Sequence, residues 1–131
     1  WVRRRRRDVV DPSILEALSA AMTAGDDDGI RAVLQPDVEL VIDSGALPSV
    51  STSPGSAPGR TAGGRDAAVA GLRAIVTSDV TVTMASVNSL PGLLLVRRGA
   101  VVGVLTADMC DRLLANVWVV CNPDKLRHWN R

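Results

Sequence analysis

The sequence predicts a single α+β domain in which three helices from the N-terminal half pack on a curved, mostly antiparallel sheet. Three observations predict it. Helical periodicity recurs in three segments before residue 77, strand-like runs separated by short turns fill residues 80–121, and 47% of the 131 residues are apolar, enough for a continuous core without metal or disulfide support.

Residues 1–11 are charged and unpatterned and read as a linker. Asp11-Pro12 offers a side-chain cap and a first-turn proline, and Ser13 with Glu16 offers a capping box in an overlapping register, so a helix begins near residue 12. Ile14, Leu15, Leu18, Ala21 and Met22 then recur at helical spacing on one face, and Gly25 closes the segment. Asp26, Asp27 and Asp28 suit the positive end of a second, short helix carrying Ile30, Val33 and Leu34, which Pro36 is expected to stop. Residues 38–43 read as a half-buried strand, with Val38, Leu40 and Ile42 on one face and Glu39, Val41 and Asp43 on the other. Residues 44–64 are dominated by Gly, Pro, Ser and Ala and read as a mobile flap, too long for a passive connector.

Asp66 begins a third helix bearing Val69, Leu72, Ile75 and Val76. Strands are expected over about 80–88, 92–97, 100–108 and 113–121, with Gly99 marking one turn and Asp111-Arg112 the tightest one. On the last strand Leu113, Ala115, Val117, Val119 and Cys121 form an apolar face, and Leu114, Asn116, Trp118 and Val120 a mixed one, so both faces read as covered. The element order is that of cone-shaped domains that enclose a pocket, an architecture that by itself says nothing about chemistry.

Charge narrows the function classes. The net charge is +1, but five consecutive arginines occupy residues 3–7, so the folded body is slightly acidic. Sequence-independent nucleic-acid binding draws on several cations that displace counterions, and such a body has no basic face to supply them. No stretch approaches the roughly 20 apolar residues of a membrane helix, and no apolar signal core follows the arginines. A cytoplasmic location is expected, with no membrane contact. The two cysteines, Cys110 and Cys121, fall near opposite ends of the last hairpin, with Cys110 opposite Leu113 and Cys121 opposite Val102. At ~3.3 Å per strand residue their sulfurs lie too far apart for a disulfide, and both are expected as free thiols.

The tail carries a more specific signal. Val119-Val120-Cys121-Asn122-Pro123-Asp124-Lys125-Leu126-Arg127-His128 closely resembles the end of the SnoaL-like C-terminal domain of a group of extracytoplasmic-function sigma factors, the sigma-J type. Asp8-Val9-Val10-Asp11-Pro12 is similar to the junction after the sigma region-four domain of that group, Gly25-Asp26 to its first helix end and Pro36-Asp37-Val38 to the start of its first strand. Val87-Asn88, Pro91-Gly92-Leu93 and Gly103-Val104-Leu105 with Asp108 fall where the family places its strand motifs, although Ser89 replaces the glycine after Asn88. The chain also departs from the family at Asp43-Ser44-Gly45-Ala46, where an Asp-Gly-Gly-Gly run is usual, and at Asp111-Arg112, where Asp-Gly is usual.

The resemblance implies an NTF2-like or SnoaL-like cone over residues 12–121, following a linker at 1–11 and followed by an interaction tail at 122–131. It also implies a regulatory role with no catalysis and no cofactor. The partners would be the sigma regions of the same chain and core RNA polymerase in transcription initiation, with DNA reached only through the preceding regions. Regulatory contacts are then expected at Asn122, Pro123, Asp124, Lys125 and Leu126, and at Asp43, Ser44 and Gly45. Leu126 and Trp129 would serve as apolar anchors beside charge-assisted bonds from the tail.

The rival reading is a stand-alone small-molecule binding protein or a cyclase- or isomerase-like enzyme of the same fold. Its pocket candidates are Asp43, Asn88, Asp108, Asn116 and Trp118, with Asp43 or Asp108 as general base. The chain has no Tyr and a single His in the tail, so the usual proton-handling partners are missing, and no His/Cys cluster suggests a metal. A third reading is a homodimer formed through the apolar face of residues 113–121.

Overall fold

The computed structural model describes residues 8–43, 60–121 and 126–130. Helix α1 spans Pro12–Ala24. Of the two starting registers, Asp11 wins: its side chain accepts the Ser13 backbone N–H at 2.9 Å and the Ser13 hydroxyl at 2.9 Å. At the other end Gly25 sits at φ 69°, the Gly25 amide donates to Met22 O and the Asp26 amide to Ala21 O, which closes the last carbonyls. Helix α2, Asp27–Ala32, is capped by Asp26, whose carboxylate accepts the Gly29 N–H at 3.0 Å. Helix α3 spans Arg65–Ile75 and starts at Gly64 without a side-chain cap. Ion pairs tie α2 to α3: Arg31 reaches Asp66 at 3.0 Å, and Arg73 bridges Asp27 and the Gly25 carbonyl.

Among the described residues seven strands form one sheet. They are β1 (Asp8–Val9), β2 (Leu34–Asp43), β3 (Arg60–Gly63), β4 (Val80–Val87), β5 (Leu90–Arg97), β6 (Ala100–Cys110) and β7 (Leu113–Val120). Their order is β3-β2-β7-β6-β5-β4, with β1 pairing along β6. All pairs are antiparallel except β2 with β7, which run parallel because the chain crosses from β2 through α3 before the meander begins. Hairpins join the last four strands. Each turns on two residues with positive φ, Asn88-Ser89, Arg98-Gly99 and Asp111-Arg112, the backbone handedness that matches strand twist.

Several expectations are corrected. The second helix ends at Ala32, so Leu34 begins β2 and Pro36 lies inside that strand, in the irregular stretch between Leu34 and Glu39 where the ladder to β7 is interrupted and no amide is needed. The reading of residues 44–64 as a flap fails at its end, because residues 60–63 pair with β2; positions 44–59 lie outside the described residues. Within the supposed linker, Asp8 and Val9 form β1. In the last hairpin Cys110 does oppose Leu113, but Ala115 is a bulge between Leu114 and Asn116, so the register shifts beyond it. Trp118 then aligns with Thr106 and Val120 with Val104, and Cys121 follows the end of the ladder instead of facing Val102. Cys110 and Cys121 are not joined in a disulfide, as expected.

The bulge also changes which residues share a face. Leu114 turns to the helices together with Val117 and Val119, in place of the Leu113, Ala115, Val117 alternation. The core lies between the three helices and this inner face of the sheet. Leu15, Leu18 and Met22 from α1, Ile30 from α2 and Leu72 from α3 meet Leu34, Val38, Leu40, Leu93, Leu95, Leu105, Leu114, Val117 and Val119. The chain's own helices thus occupy the side of β7 that offered an apolar face for pairing between copies. Each such side chain contributes about 1.5–3 kcal/mol on burial. Among the described residues Gln35 is the one buried polar side chain, and its amide donates to the Cys110 carbonyl. Nearby, Arg65 donates twice to the Leu34 carbonyl, at 3.1 and 2.9 Å.

Candidate functional site

The sheet's outer face, turned away from the helices, holds most of the polar residues singled out in the sequence. Strand register arranges three rows across β2, β7 and β6. Glu39, Asn116 and Asp108 form the first row, Val41, Trp118 and Thr106 the second, and Asp43, Val120 and Val104 the third. Neighbours within a row are about 4.8 Å apart. In the first row the Asn116 amide donates to the Asp108 carboxylate at 2.9 Å, which fixes both side chains on this face. β1 extends the same row, since Val9 aligns with Asp108.

Val104 and Val120 of the third row are covered by the tail. Leu126 is 3% exposed and packs with Val87 and Val104, with Leu94, Val101, Val120 and Trp129 around them. A 3-10 turn, Arg127–Asn130, holds Trp129 there, and its amide donates to the Leu126 carbonyl at 3.0 Å. The second row remains open. Trp118 is 37% exposed, so the expectation that both faces of the last strand are covered is corrected: burial on the outer face stops short of the middle of β7.

The sequence-derived site residues therefore divide into separate places. Asp43, Asp108, Asn116 and Trp118 share the outer face, whereas Asn88 is exposed in the β4–β5 turn at φ 51°, remote from them in the register. Asp108, Asn116 and Trp118 project away from the helix-covered interior. Leu126 is anchored on the chain's own sheet, so its side chain is not a free anchor for a partner. Ser44, Gly45, Asn122, Pro123, Asp124 and Lys125 lie outside the described residues. Sequence reasoning missed Glu39, Val41 and Thr106 as members of the same surface. Their alternation was legible, but the parallel pairing of β2 with β7 that brings them beside Trp118 leaves no local signal.

One titration is shifted at the edge of this surface. Burial pushes the Cys121 thiol above its ordinary value, and the nearby Asp43 carboxylate adds to the shift. The thiol is thus a weaker nucleophile at neutral pH than an exposed cysteine. Among the described residues no group of three or more His, Cys, Asp or Glu side chains is arranged to hold a metal ion, and no helix is long and apolar enough to cross a membrane.

Comparison with solved structures places this architecture. A protein from Kribbella flavida assigned as a candidate ketosteroid isomerase matches with a TM-score of 0.56 at 15% identity, over 83% of this chain and 75% of that one. An NTF2-like protein of unknown function from Cytophaga hutchinsonii matches with a TM-score of 0.56 at 8% identity, over 92% of this chain and 97% of that one. The extracytoplasmic function sigma factor SigJ of Mycobacterium tuberculosis matches with a TM-score of 0.59 at 26% identity, over 86% of this chain and 42% of that one. The chain thus spans under half the length of that sigma factor. No protein-family model and no curated protein sequence matches. The fold is NTF2-like, of the α+β class.

Proposed function

We propose that this chain is the regulatory C-terminal part of an extracytoplasmic-function sigma factor, acting through contacts with the sigma regions that precede it and so tuning engagement of core RNA polymerase. The observation that carries the reading is the likeness to SigJ, 26% identical over 86% of this chain, joined to the sigma-J-like tail motif from Asn122 to Leu126. A cytoplasmic location and action on promoter DNA only through the preceding regions follow from the same reading.

Chemistry at the outer face supports contact in preference to catalysis. A general base works from a site that excludes water and holds a substrate against it. Asp108 and Asn116 instead stand on a sheet face with an exposed tryptophan, a surface suited to packing against another protein. The rival, a small-molecule binding protein or isomerase-like enzyme, draws on the Kribbella flavida likeness, which at 15% identity speaks to the fold.

Reconstituted transcription by core polymerase tests the proposal, using the complete protein, a deletion from Asn122 onward and a deletion of the whole domain. Transcript yield that changes with the domain deletion, in either direction, is expected. Equal yield from all three proteins would remove the regulatory reading and turn attention to ligands.

A further inference from the structure

Strand β4 ends the described sheet beyond β5, and nothing in it blunts that edge. It runs eight residues, whereas β3 at the other end of the strand order has four. Its ladder to β5 is unbroken from Val80 opposite Arg97 to Val87 opposite Leu90, so no bulge twists the edge away. It holds no proline and no charged residue, the other devices that keep an edge strand alone.

Hairpin geometry settles which backbone groups this edge offers. A two-residue turn makes its flanking residues a hydrogen-bonded pair, here Val87 with Leu90. Alternation then turns the amides and carbonyls of Thr81, Thr83, Ala85 and Val87 toward β5, and those of Val80, Val82, Met84 and Ser86 outward. Three contacts agree with this. Pro91, which has no amide to give, stands opposite Ser86. The Val80 amide donates to the Thr77 carbonyl at 3.0 Å, and the Ser19 hydroxyl to the Val82 carbonyl at 3.3 Å. Among the described residues no partner reaches the Val82 amide or the amides and carbonyls of Met84 and Ser86.

We propose that β4 pairs with β4 of a second copy of the chain, antiparallel, about a two-fold axis at Met84. The free groups are themselves symmetric about that residue, which singles out a second copy as the occupant. Met84 then bonds its own image through both groups, and Val82 opposes Ser86 of the other copy. The Val82 carbonyl keeps a second lone pair beside the Ser19 hydroxyl for the incoming Ser86 amide. An axis at Thr83 would instead set the Val80 amide against Ser86 and break its bond to Thr77. Charge does not oppose the pairing, because the strand carries none to meet its image. Met84, 42% exposed and opposite the buried Leu93, is covered by its counterpart. The axis stands normal to the sheet, so the two outer faces turn to the same side and present their Trp118 surfaces together. Register and backbone hydrogen bonding carry this inference, which does not depend on the sigma-factor reading.

A contact confined to one strand is small, so the dimer is a weak one, and the test spans about 10 μM to about 1 mM protein. Sedimentation of the complete chain is compared with Met84→Lys, which sets two like charges on the axis, and with Ser86→Pro, which removes an outward amide while leaving the ladder to β5 intact. The native chain is expected to pass from monomer to dimer over that range, and each variant to dissociate about tenfold more readily. Amide exchange of the native chain gives a reading that needs no variant. The Val82, Met84 and Ser86 amides are expected to exchange about tenfold more slowly at the high concentration than at the low one, and the Thr81, Thr83, Ala85 and Val87 amides at rates that do not depend on concentration. A chain that stays monomeric throughout, or exchange at Met84 that is indifferent to concentration, would overturn the proposal. So would a dimer that survives Met84→Lys and Ser86→Pro but is lost with Trp118→Ser, since that dimer forms through the outer face.

Discussion

The two faces of the sheet obey different rules. On the inner face aliphatic side chains interlock with three helices, Leu34, Leu93, Leu105, Leu114 and Val117 being fully excluded from solvent. On the outer face, among the described residues, Leu126 and Trp129 from the tail roof Val104 and Val120 of the third row with the adjoining parts of β4 and β5, and the remainder mixes carboxylate, amide, hydroxyl and indole. The difference teaches that the inner face secures the fold, while the outer face is where residue identity is left open for contact.

Substitutions should separate the faces, and the largest effect belongs inside. Leu105→Ala, at a fully buried position, is expected to lower stability by about 2–5 kcal/mol in urea unfolding. A change under about 1 kcal/mol would mean that the core is less tightly packed than the burial implies. Gly92→Ala comes next. A Cβ there would lie 2.7 Å from Val87 Cγ2 and 2.9 Å from the Leu105 carbonyl oxygen, so a loss of about 1–3 kcal/mol is expected from overpacking. Leu126→Ala breaks only the satellite cluster. Its expected result is faster amide exchange through residues 126–130 and a smaller loss, about 1–2 kcal/mol, with inner-strand exchange unchanged.

Acid titration sharpens the comparison with a smaller effect at the helix entrance. The Asp11 carboxyl is held below its usual value, first by the Ser13 backbone N–H and then by the Ser13 hydroxyl. Asp79 is held down first by the Thr77 hydroxyl. A depressed folded-state value means that the stabilisation is present above the unfolded-state pKa and is lost as pH falls through the folded one, hence below about pH 4. The melting temperature of the native chain should fall more steeply there than that of Asp11→Asn; parallel curves would show that the Asp11 cap contributes nothing to acid sensitivity.

Much of this architecture was legible because local chemistry announces it. Asp11-Pro12 and Gly25 bracket α1, and Gly99 marks a hairpin turn. The missed features lack such signals. Residues 60–63 pair with β2 without any apolar alternation of their own, and Pro36 argues locally for a stop although the strand passes through it. The bulge at Ala115 is the costliest omission for the site, since one unopposed residue decides that Leu114 faces the helices while Asn116 and Trp118 face out. The tail motif identified a family likeness, yet Leu126 being seated on Val104 is a tertiary fact that its sequence does not contain.

Function through the outer face is tested most directly by transcription with the complete protein carrying Trp118→Ser and Glu39→Lys, alongside the melting temperature of the same variant. Altered transcript yield at a nearly unchanged melting temperature is the expected result. Native yield from that variant would contradict a working role for this face.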